Sequence, residues 1–217
     1  MAYWHARAKE DGAISLFSSP VTSAELDGGG YALSVGAERL WARWVVNSAG
    51  LRCDAVAALP GLDAETAGYR LFWCKGSYFR VRAALPIPHL VYPLPDPHGL
   101  GIHITLDQRG LLRLGPDTEF TPHHLNYDVD PARAGAFAEA VSRYMEGITP
   151  EGIFPDTSGV RPKLSGPGGG FKDFIFAEES PRGLPNWINL IGIDSPGLTA
   201  SPAIAEEVAA MVQRGES

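Results

Sequence analysis

A short stretch that reads GIHITL could present a histidine to a ligand. Ile102, Ile104 and Leu106 alternate with His103 and Thr105, so a strand would place His103 and Thr105 on the face opposite the apolar side chains. An imidazole in that position could act as a general base. A solvated histidine on an exposed strand face would show the same pattern, so the spacing alone leaves both interpretations open.

Arg161 has neighbours that suit the capture of a carboxylate. Gly159 frees the backbone before it and Pro162 stiffens the backbone after it. A guanidinium held in place can bind a carboxylate through two parallel hydrogen bonds. A surface arginine in an ordinary turn has the same local sequence. Lys75 and Tyr78, in the stretch CKGSYF, add a cation and a phenol, to which spacing alone assigns no role.

Residues 189–201, NLIGIDSPGLTAS, combine an apolar strand, a glycine turn and the start of a helix. This order presents backbone N–H groups and the positive end of the helix dipole to an electron-rich or anionic ligand. A helix capped by Ser195 would explain that serine and Pro196. The glycines on either side, Gly192 and Gly197, favour instead the close approach of a ligand to the backbone.

A second turn of small residues, Asn47-Ser48-Ala49-Gly50, follows the apolar run 44–46. At the carboxyl end of a strand in a doubly wound sheet, small side chains let a ligand reach the backbone. An ordinary turn is the alternative. The apolar run itself is typical of a strand buried on both faces.

The elements that must position these residues follow from periodicity and turn chemistry. Residues 21–26 and 31–35 predict a hairpin around Gly28-Gly29-Gly30, and a third strand follows over 40–46. Five short strands then predict an antiparallel sheet, at 69–73, 77–81, 90–92, 101–106 and 111–114.

Two helices complete the predicted elements. Asp130-Pro131 would open the first helix, whose apolar face contains Phe137, Val141, Tyr144 and Met145 and would cover the antiparallel sheet. A buried strand over 187–193 precedes the second, closing helix, in which Ile204, Val208, Met211 and Val212 share one face.

Composition and charge limit the classes of function. The chain has 217 residues, 45% of them hydrophobic, which is enough for a globular core. Its formal net charge of −7 does not attract the negatively charged phosphates of a nucleic acid, so nucleic acid is not an expected partner. No uncharged apolar run reaches the length of about 18 residues that a membrane span needs, and the N-terminus MAYWHARAKEDG lacks the core of a signal peptide.

Cysteine and histidine spacing narrows the classes further. Cys53 and Cys74 form neither a disulfide framework nor a metal motif, so we expect free thiols in a cytoplasmic protein. The histidines at 98, 103, 123 and 124 lack the spacing of a metal site, and we expect no metal. Neither a Gly-x-Ser-x-Gly elbow nor a phosphate-binding Gly-x-x-x-x-Gly-Lys-Ser/Thr loop occurs, which gives a hydrolase or a P-loop enzyme no support.

Taken together, several stretches resemble one family. VVNSAG, CKGSYF, LVYPLP, GLGIHITLD, GPDTEF, SGVRPKLSGP, KDFIFAEES and NLIGIDSPGLTASPAIAEEVA are similar to the FAD-dependent oxidoreductases of the D-amino-acid oxidase class, and within it to the L-2-hydroxyglutarate dehydrogenase/oxidase group. The resemblance implies an α/β (α+β) protein that combines part of a Rossmann-like FAD-binding domain with a mixed, largely antiparallel substrate sheet and a covering helix. The implied FAD-binding part is 1–60 with 155–217, and the implied substrate-binding domain is 61–154.

The resemblance also implies which residues would act on the substrate. Lys75, Tyr78, His103 and Arg161 would face a small 2-hydroxy acid of the L-2-hydroxyglutarate type, with Thr105 on the His103 face. Arg161 would hold the carboxylate and His103 would take the hydroxyl proton, while the α-hydrogen leaves as hydride to the flavin.

A second set of residues would contact the implied FAD. Val21 would lie near the adenine, and Ser48, Ala49 and Gly50 would form a second contact turn. The residues around the flavin pyrimidine ring would be those of the glycine turn and helix start, namely Gly192, Ser195, Pro196, Gly197, Leu198 and Thr199.

The family's Gly-x-Gly-x-x-Gly loop for the pyrophosphate does not occur in these 217 residues. We therefore expect the chain to be the C-terminal portion of such an enzyme. Two alternatives remain open: a non-catalytic, partner-binding relic without FAD, and an amine or amino-acid oxidase of the same superfamily. Association with the membrane surface and self-association through the face left by the absent FAD half are further expectations.

Overall fold

The structure is a computed structural model that describes residues 1–82, 85, 87–94, 101–107, 109–122 and 125–216. The helices and strands, in chain order, are α1 Ala2–Glu10, β1 Val21–Asp27, β2 Gly30–Val35, β3 Glu38–Ala42, β4 Val45–Asn47, α2 Cys53–Ala57, β5 Phe72–Val81, β6 Ile104–Leu106, β7 Leu112–Leu114, β8 Glu119–Thr121, α3 Ala134–Ser142, β9 Ile153–Lys163, β10 Ile175–Glu178, β11 Trp187–Ile191 and α4 Gly197–Gly215. Single 3-10 turns lie at Gly50–Arg52, Pro131–Arg133, Pro150–Gly152 and Ser180–Arg182.

The predicted hairpin is confirmed, whereas the predicted third strand is wrong in extent. β1, β2 and β3 form an antiparallel sheet in which Asp27 pairs with Gly30 across a turn of two glycines with positive φ. The third strand ends at Ala42, and β4 begins at Val45 in a different sheet. The strand is interrupted because β3 pairs with β2 while β4 pairs with β11, so the chain must change sheets between them.

β4, β11 and β10 form the second sheet, and β4 runs parallel to β11. All five residues of β11 are buried, as the apolar run predicted. The burial of β4 on both faces is wrong, because β4 lies at the end of this sheet and Val46 is 40% exposed. Since parallel strands end at the same edge, the turns after β4 and after β11 leave the sheet side by side.

The largest sheet is antiparallel and has β5 at its centre. β5 is one strand of ten residues in place of the two predicted pieces, and it pairs with β7, β8 and β9. Of the predicted strands at 90–92 and 101–106, the described residues contain one bridge at Val91 and the short strand β6. The eleven-residue strand β9 has no counterpart in the sequence prediction. Among the described strands, β9 pairs with β5 alone, so prolines that cannot donate to a second neighbour are tolerated in it.

Two hydrophobic cores hold these sheets. The first lies around Tyr31, Tyr69 and Trp187, and the second packs Phe79, Leu114 and Ile104 of the large sheet against α3. α3 covers the sheet through Phe137 and Val141, as predicted, and the Asp130 carboxylate accepts a hydrogen bond from the N–H of Ala132 (2.9 Å) just before it. Leu62, Tyr69 and Leu71, which lie within the predicted substrate-binding part 61–154, belong to the first core.

The closing helix α4 carries the predicted stripe as half-buried side chains at Ile204, Val208, Met211 and Val212. Within the described ranges, none of the helices has the combination of length and apolarity needed to cross a bilayer.

Candidate active site

A cavity of about 990 Å³ lies between the large sheet and the start of α4. The sheet contributes Cys74 of β5 and Arg161 of β9, and His103 lies one residue before β6. The turn before α4 contributes Asp194 and Ser195. The remaining wall consists of residues 116–118, 163–172, Phe120, Gly101 and Ile102. Residues from five separate parts of the chain therefore meet at one opening.

Arg161 is part of β9, so the alternative of a surface arginine in an ordinary turn is wrong. Its partner across the sheet is Cys74 of β5, and its Nη2 donates a hydrogen bond to the carbonyl oxygen of Asp117 (2.9 Å). Gly159 and Pro162 both fit within this outer strand. No carboxylate in the described part of the chain forms an ion pair with Arg161, so its charge is available to a ligand in the cavity.

His103 lies on the same cavity wall and is not a solvated side chain. It is 8% exposed, and its ring stacks on Tyr92 with the ring centres 4.4 Å apart. Its Nδ1 lies 3.3 Å from the carbonyl oxygen of Gly101, which can only accept a hydrogen bond, so Nδ1 carries the proton and Nε2 is left as the acceptor. Burial lowers the pKa of His103, and the positive charge of Arg161 adds to that effect.

The other predicted substrate residues are placed differently. Lys75 points to the face opposite Arg161, because it is the neighbour of Cys74 along β5. The Lys75 ammonium is buried, donates to the carbonyl oxygen of Asp128 (3.0 Å) and lies 3.7 Å from the Glu119 carboxylate.

Tyr78 and Thr105 are not among the residues that line the cavity. Arg113 lies over the ring of Tyr78, at 4.7 Å from its centre, and burial raises the pKa of the phenol. The Thr105 hydroxyl is 3.5 Å from the carbonyl oxygen of Arg113. Of the five predicted substrate residues, the structure brings His103 and Arg161 to the cavity wall.

The start of α4 faces this cavity without a side-chain cap. Pro196 precedes the helix and Ser195 makes no capping hydrogen bond, so the interpretation of residues 195–196 as a serine-capped helix is wrong. Leu198 and Thr199, in the first turn, are exposed. The helix thus presents its positive end to the space that Ser195 lines.

Both glycines of this turn occupy positions where a side chain would collide with its surroundings. A Cβ at Gly192, where φ is +71°, would lie 2.6 Å from Cγ of Leu164. A Cβ at Gly197 would overlap with Cγ2 of Ile193. An ion pair between Lys163 and Asp194 (2.6 Å) joins the same turn to β9. The turn is therefore built tightly against the strand that carries Arg161.

The turn Ser48-Ala49-Gly50 lies at the same sheet edge, since it follows β4. Buried Asn47 shapes it: its side-chain oxygen accepts from the N–H of Ala49 (3.2 Å), and its amide donates to Asn189 of β11 (2.8 Å). Val21 is exposed at the start of β1, in another sheet, and does not line the cavity.

Sequence reasoning missed five residues around the cavity, which are Gly76, Tyr92, Asp117, Lys163 and Asp194. All five lie in the family-like stretches of the sequence, but no local signal distinguished them, because their place near the cavity depends on contacts between distant parts of the chain. His98, His123 and His124, considered there as metal candidates, lie outside the described residues.

Gly76 provides a testable consequence of this geometry. A Cβ at Gly76 would overlap with Nη2 of Arg161 and lie 2.8 Å from Cβ of Pro116. We expect Gly76→Ala to displace the guanidinium and to weaken the binding of a carboxylate ligand about tenfold, measured by calorimetry. The matched control is Gly159→Ala, because Gly159 is paired with Gly76 across the sheet and its Cβ would meet nothing within 4 Å. Equal affinities in the two variants would contradict the interpretation.

Comparison with known proteins gives a consistent family. The family model described as FAD dependent oxidoreductase (DAO) matches residues 1–211. The mitochondrial L-2-hydroxyglutarate dehydrogenase of Arabidopsis thaliana is 42% identical over 177 residues, which cover 76% of this chain and 36% of that protein. The chain thus spans well under half of the length of this curated relative.

Solved structures agree on the fold. The L-alpha-glycerophosphate oxidase of Mycoplasma pneumoniae, solved with FAD bound, matches with a TM-score of 0.73 and 21% identity, over 90% of this chain and 50% of that one. The glycine oxidase of Geobacillus kaustophilus matches with a TM-score of 0.68 and 21% identity, over 98% of this chain and 53% of that one. Similarity at this level supports the fold, and the predicted α/β (α+β) class with it.

Proposed function

Because this chain belongs to the DAO family of FAD-dependent oxidoreductases, we propose that it forms the substrate-holding part of an enzyme that oxidises a small 2-hydroxy acid of the L-2-hydroxyglutarate type. The observation that carries the proposal is that Arg161 and His103 line the same cavity, which is also lined by Ser195 just before the uncapped start of α4. Arg161 has no carboxylate partner among the residues that the structure describes. Such a cation and a neutral imidazole are the two groups that an α-hydroxy carboxylate requires. The name of the Arabidopsis relative supports the choice of acid.

The residues at the sheet edge fit the flavin end of FAD. The uncapped helix start at Gly197 would stabilise negative charge on the pyrimidine ring, and Ser195, Pro196, Leu198 and Thr199 surround that position. Glycine at 192 and 197 satisfies the close packing there, since a Cβ at either position would collide with its neighbours.

Two further contacts with FAD are proposed. Ser48, Ala49 and Gly50 would hold the cofactor at the same edge, because β4 and β11 are parallel. Val21 would meet its adenine. None of the 217 residues is assigned to the pyrophosphate, since the Gly-x-Gly-x-x-Gly loop does not occur among them.

The substrate would be oriented by Arg161. Its guanidinium would bind the α-carboxylate while the hydrogen bond from Nη2 to Asp117 keeps the planar group in place. The hydroxyl group of the acid would then face His103, whose Nε2 is free to accept the hydroxyl proton.

The oxidation removes one proton and one hydride from the acid and leaves a 2-oxo acid. His103 takes the proton at Nε2, and burial favours the neutral form of the ring that can do so. FAD, when bound, supplies the acceptor for the hydride that leaves the α-carbon. The positive charge of Arg161 next to the carboxylate keeps the α-carbon aligned throughout.

Anaerobic mixing tests this proposal. L-2-Hydroxyglutarate is expected to bleach the visible flavin absorption of the FAD-loaded protein and to yield one 2-oxo acid per flavin, whereas glycine, an amine donor, leaves the spectrum unchanged. Bleaching by glycine in place of the hydroxy acid would favour the amine-oxidase alternative. An FAD-loaded protein that no 2-hydroxy acid reduces would contradict the proposed function.

A further inference from the structure

His103 and Arg161 are both bonded to one short segment of backbone, Gly115–Asp117. The N–H of Gly115 donates to the carbonyl oxygen of His103 (2.9 Å), and Nη2 of Arg161 donates to the carbonyl oxygen of Asp117 (2.9 Å). The separation between the imidazole and the guanidinium therefore depends on where this segment lies.

The Asp117 carboxylate anchors the segment from its other side. Its Oδ1 accepts the N–H of Ser77 on β5 (2.7 Å), and its Oδ2 forms an ion pair with Nη2 of Arg133 (2.7 Å), which lies at the start of α3. The N–H of Asp117 also donates to the carbonyl oxygen of Ser77 (3.3 Å). One residue thus connects the central strand, the covering helix and Arg161.

The position of the segment is tightly constrained. The Asp117 side chain is 7% exposed, and an ionised carboxylate remains buried only where a charge and donors compensate it. At Gly115, φ is +131° and a Cβ would lie 2.6 Å from the carbonyl oxygen of Ser77. Both ends of the segment are therefore held against β5, and the segment moves only if one of these contacts is lost.

We propose that Asp117 is a positioning residue, which holds His103 and Arg161 at the separation that one 2-hydroxy acid requires. This role rests on the proposed function, because it takes Arg161 and His103 as the groups that contact the substrate. Asp117 acts through Arg161 and the backbone, and its carboxylate takes no part in the transfer of the proton or the hydride.

Asp117→Asn tests the role, since it removes the charge and keeps an oxygen for the N–H of Ser77. In the FAD-loaded enzyme, we expect the KM for L-2-hydroxyglutarate to rise about tenfold while kcat falls less, because a displaced guanidinium binds the carboxylate less tightly.

The matched control is Asp156→Asn. Asp156 is similarly buried (11% side-chain exposure) and pairs with Arg80 (2.8 Å) and Arg113 (2.5 Å) on the same sheet, but it bonds neither Arg161 nor His103 in the described part of the chain. This control is expected to lower Tm by a similar amount and to change KM less than about twofold.

A spectroscopic measurement keeps the positioning role separate from the proposed function. The NMR signal of the Arg161 side-chain N–H is expected to shift or broaden in Asp117→Asn and to stay in place in Asp156→Asn. If wild-type protein oxidises no 2-hydroxy acid, the proposed function fails while this measurement still tests the role of Asp117. If Asp117→Asn does not fold, Arg133→Gln breaks the same ion pair from a partly exposed side chain and is expected to move the same signal. An unchanged Arg161 signal together with an unchanged KM would overturn the proposal.

Discussion

Arg161→Ala is expected to lower kcat/KM for L-2-hydroxyglutarate by about 100-fold or more, mainly through KM. The guanidinium offers two parallel donors and a full charge to the carboxylate, and an alanine leaves the bound carboxylate in the cavity without a counter-charge. Steady-state kinetics of the FAD-loaded enzyme measure the effect. Arg161 has no carboxylate partner among the described residues, so its loss is not expected to destabilise the fold by breaking an ion pair.

Two comparisons make this prediction specific to the carboxylate. Arg161→Lys keeps the charge and loses the planar pair of donors, so it should retain an intermediate kcat/KM. A substrate analogue with an amide in place of the α-carboxylate should react poorly with the wild-type enzyme and lose little more in Arg161→Ala. If the alanine variant kept the wild-type KM for the acid, Arg161 would not be the carboxylate anchor.

His103→Gln should lower kcat by about 10²- to 10⁴-fold with a small change in KM, as expected for the loss of a general base. Glutamine keeps a polar group of similar reach against Gly101 and cannot take up a proton. The rate of flavin reduction in a stopped-flow experiment isolates this step from later ones. A variant that reduces flavin at the wild-type rate would remove His103 from the mechanism.

The pH dependence provides an independent check on the same histidine. Burial lowers the pKa of His103, so the neutral, proton-accepting form persists below the ordinary value of about 6.5. Activity is then lost only as the pH falls through that lowered pKa, and the acid limb of kcat/KM should have its midpoint below about 6.5. Tyr92→Ala uncovers the ring and should move the midpoint upward, toward the value of an exposed histidine. A midpoint that Tyr92→Ala leaves in place would mean that another group controls the limb.

Several elements of the fold were predictable because their signals are local. The hairpin follows from Gly28 and Gly29, whose positive φ angles make the turn. The start of α3 follows from Asp130, which caps the turn before it, and the burial of β11 follows from its apolar run. The exposure of Val46 in β4 was not predictable from the apolar run, because it depends on which elements lie beside that strand.

β9 shows most clearly why the rest of the fold escaped prediction. Pro155, Gly159 and Pro162 interrupt the usual signals of a strand, and each is compatible with a strand that bonds one neighbour only. The sequence also did not show which side chains of β5 share a face with Arg161, because that depends on the register between β5 and β9. Lys75 and Arg161 both looked available to a ligand, but the register that pairs Arg161 with Cys74 places Lys75 on the other side.

The sequence by itself determined the residue types that the proposed chemistry needs and the local elements that carry them. The alternation in GIHITL put His103 opposite an apolar stripe, and the glycines around Ser195 indicated a helix start that faces a ligand. These features depend on neighbours within a few positions, which decide backbone angles and side-chain alternation. Only the tertiary structure decided that His103 and Arg161 line the same cavity and that the turn before α4 also reaches it. That arrangement depends on the pairing of β5 with β9, on the parallel pairing of β4 with β11, and on the burial of Asp117. All three join residues far apart in the chain, and such contacts have no local pattern from which they could be read.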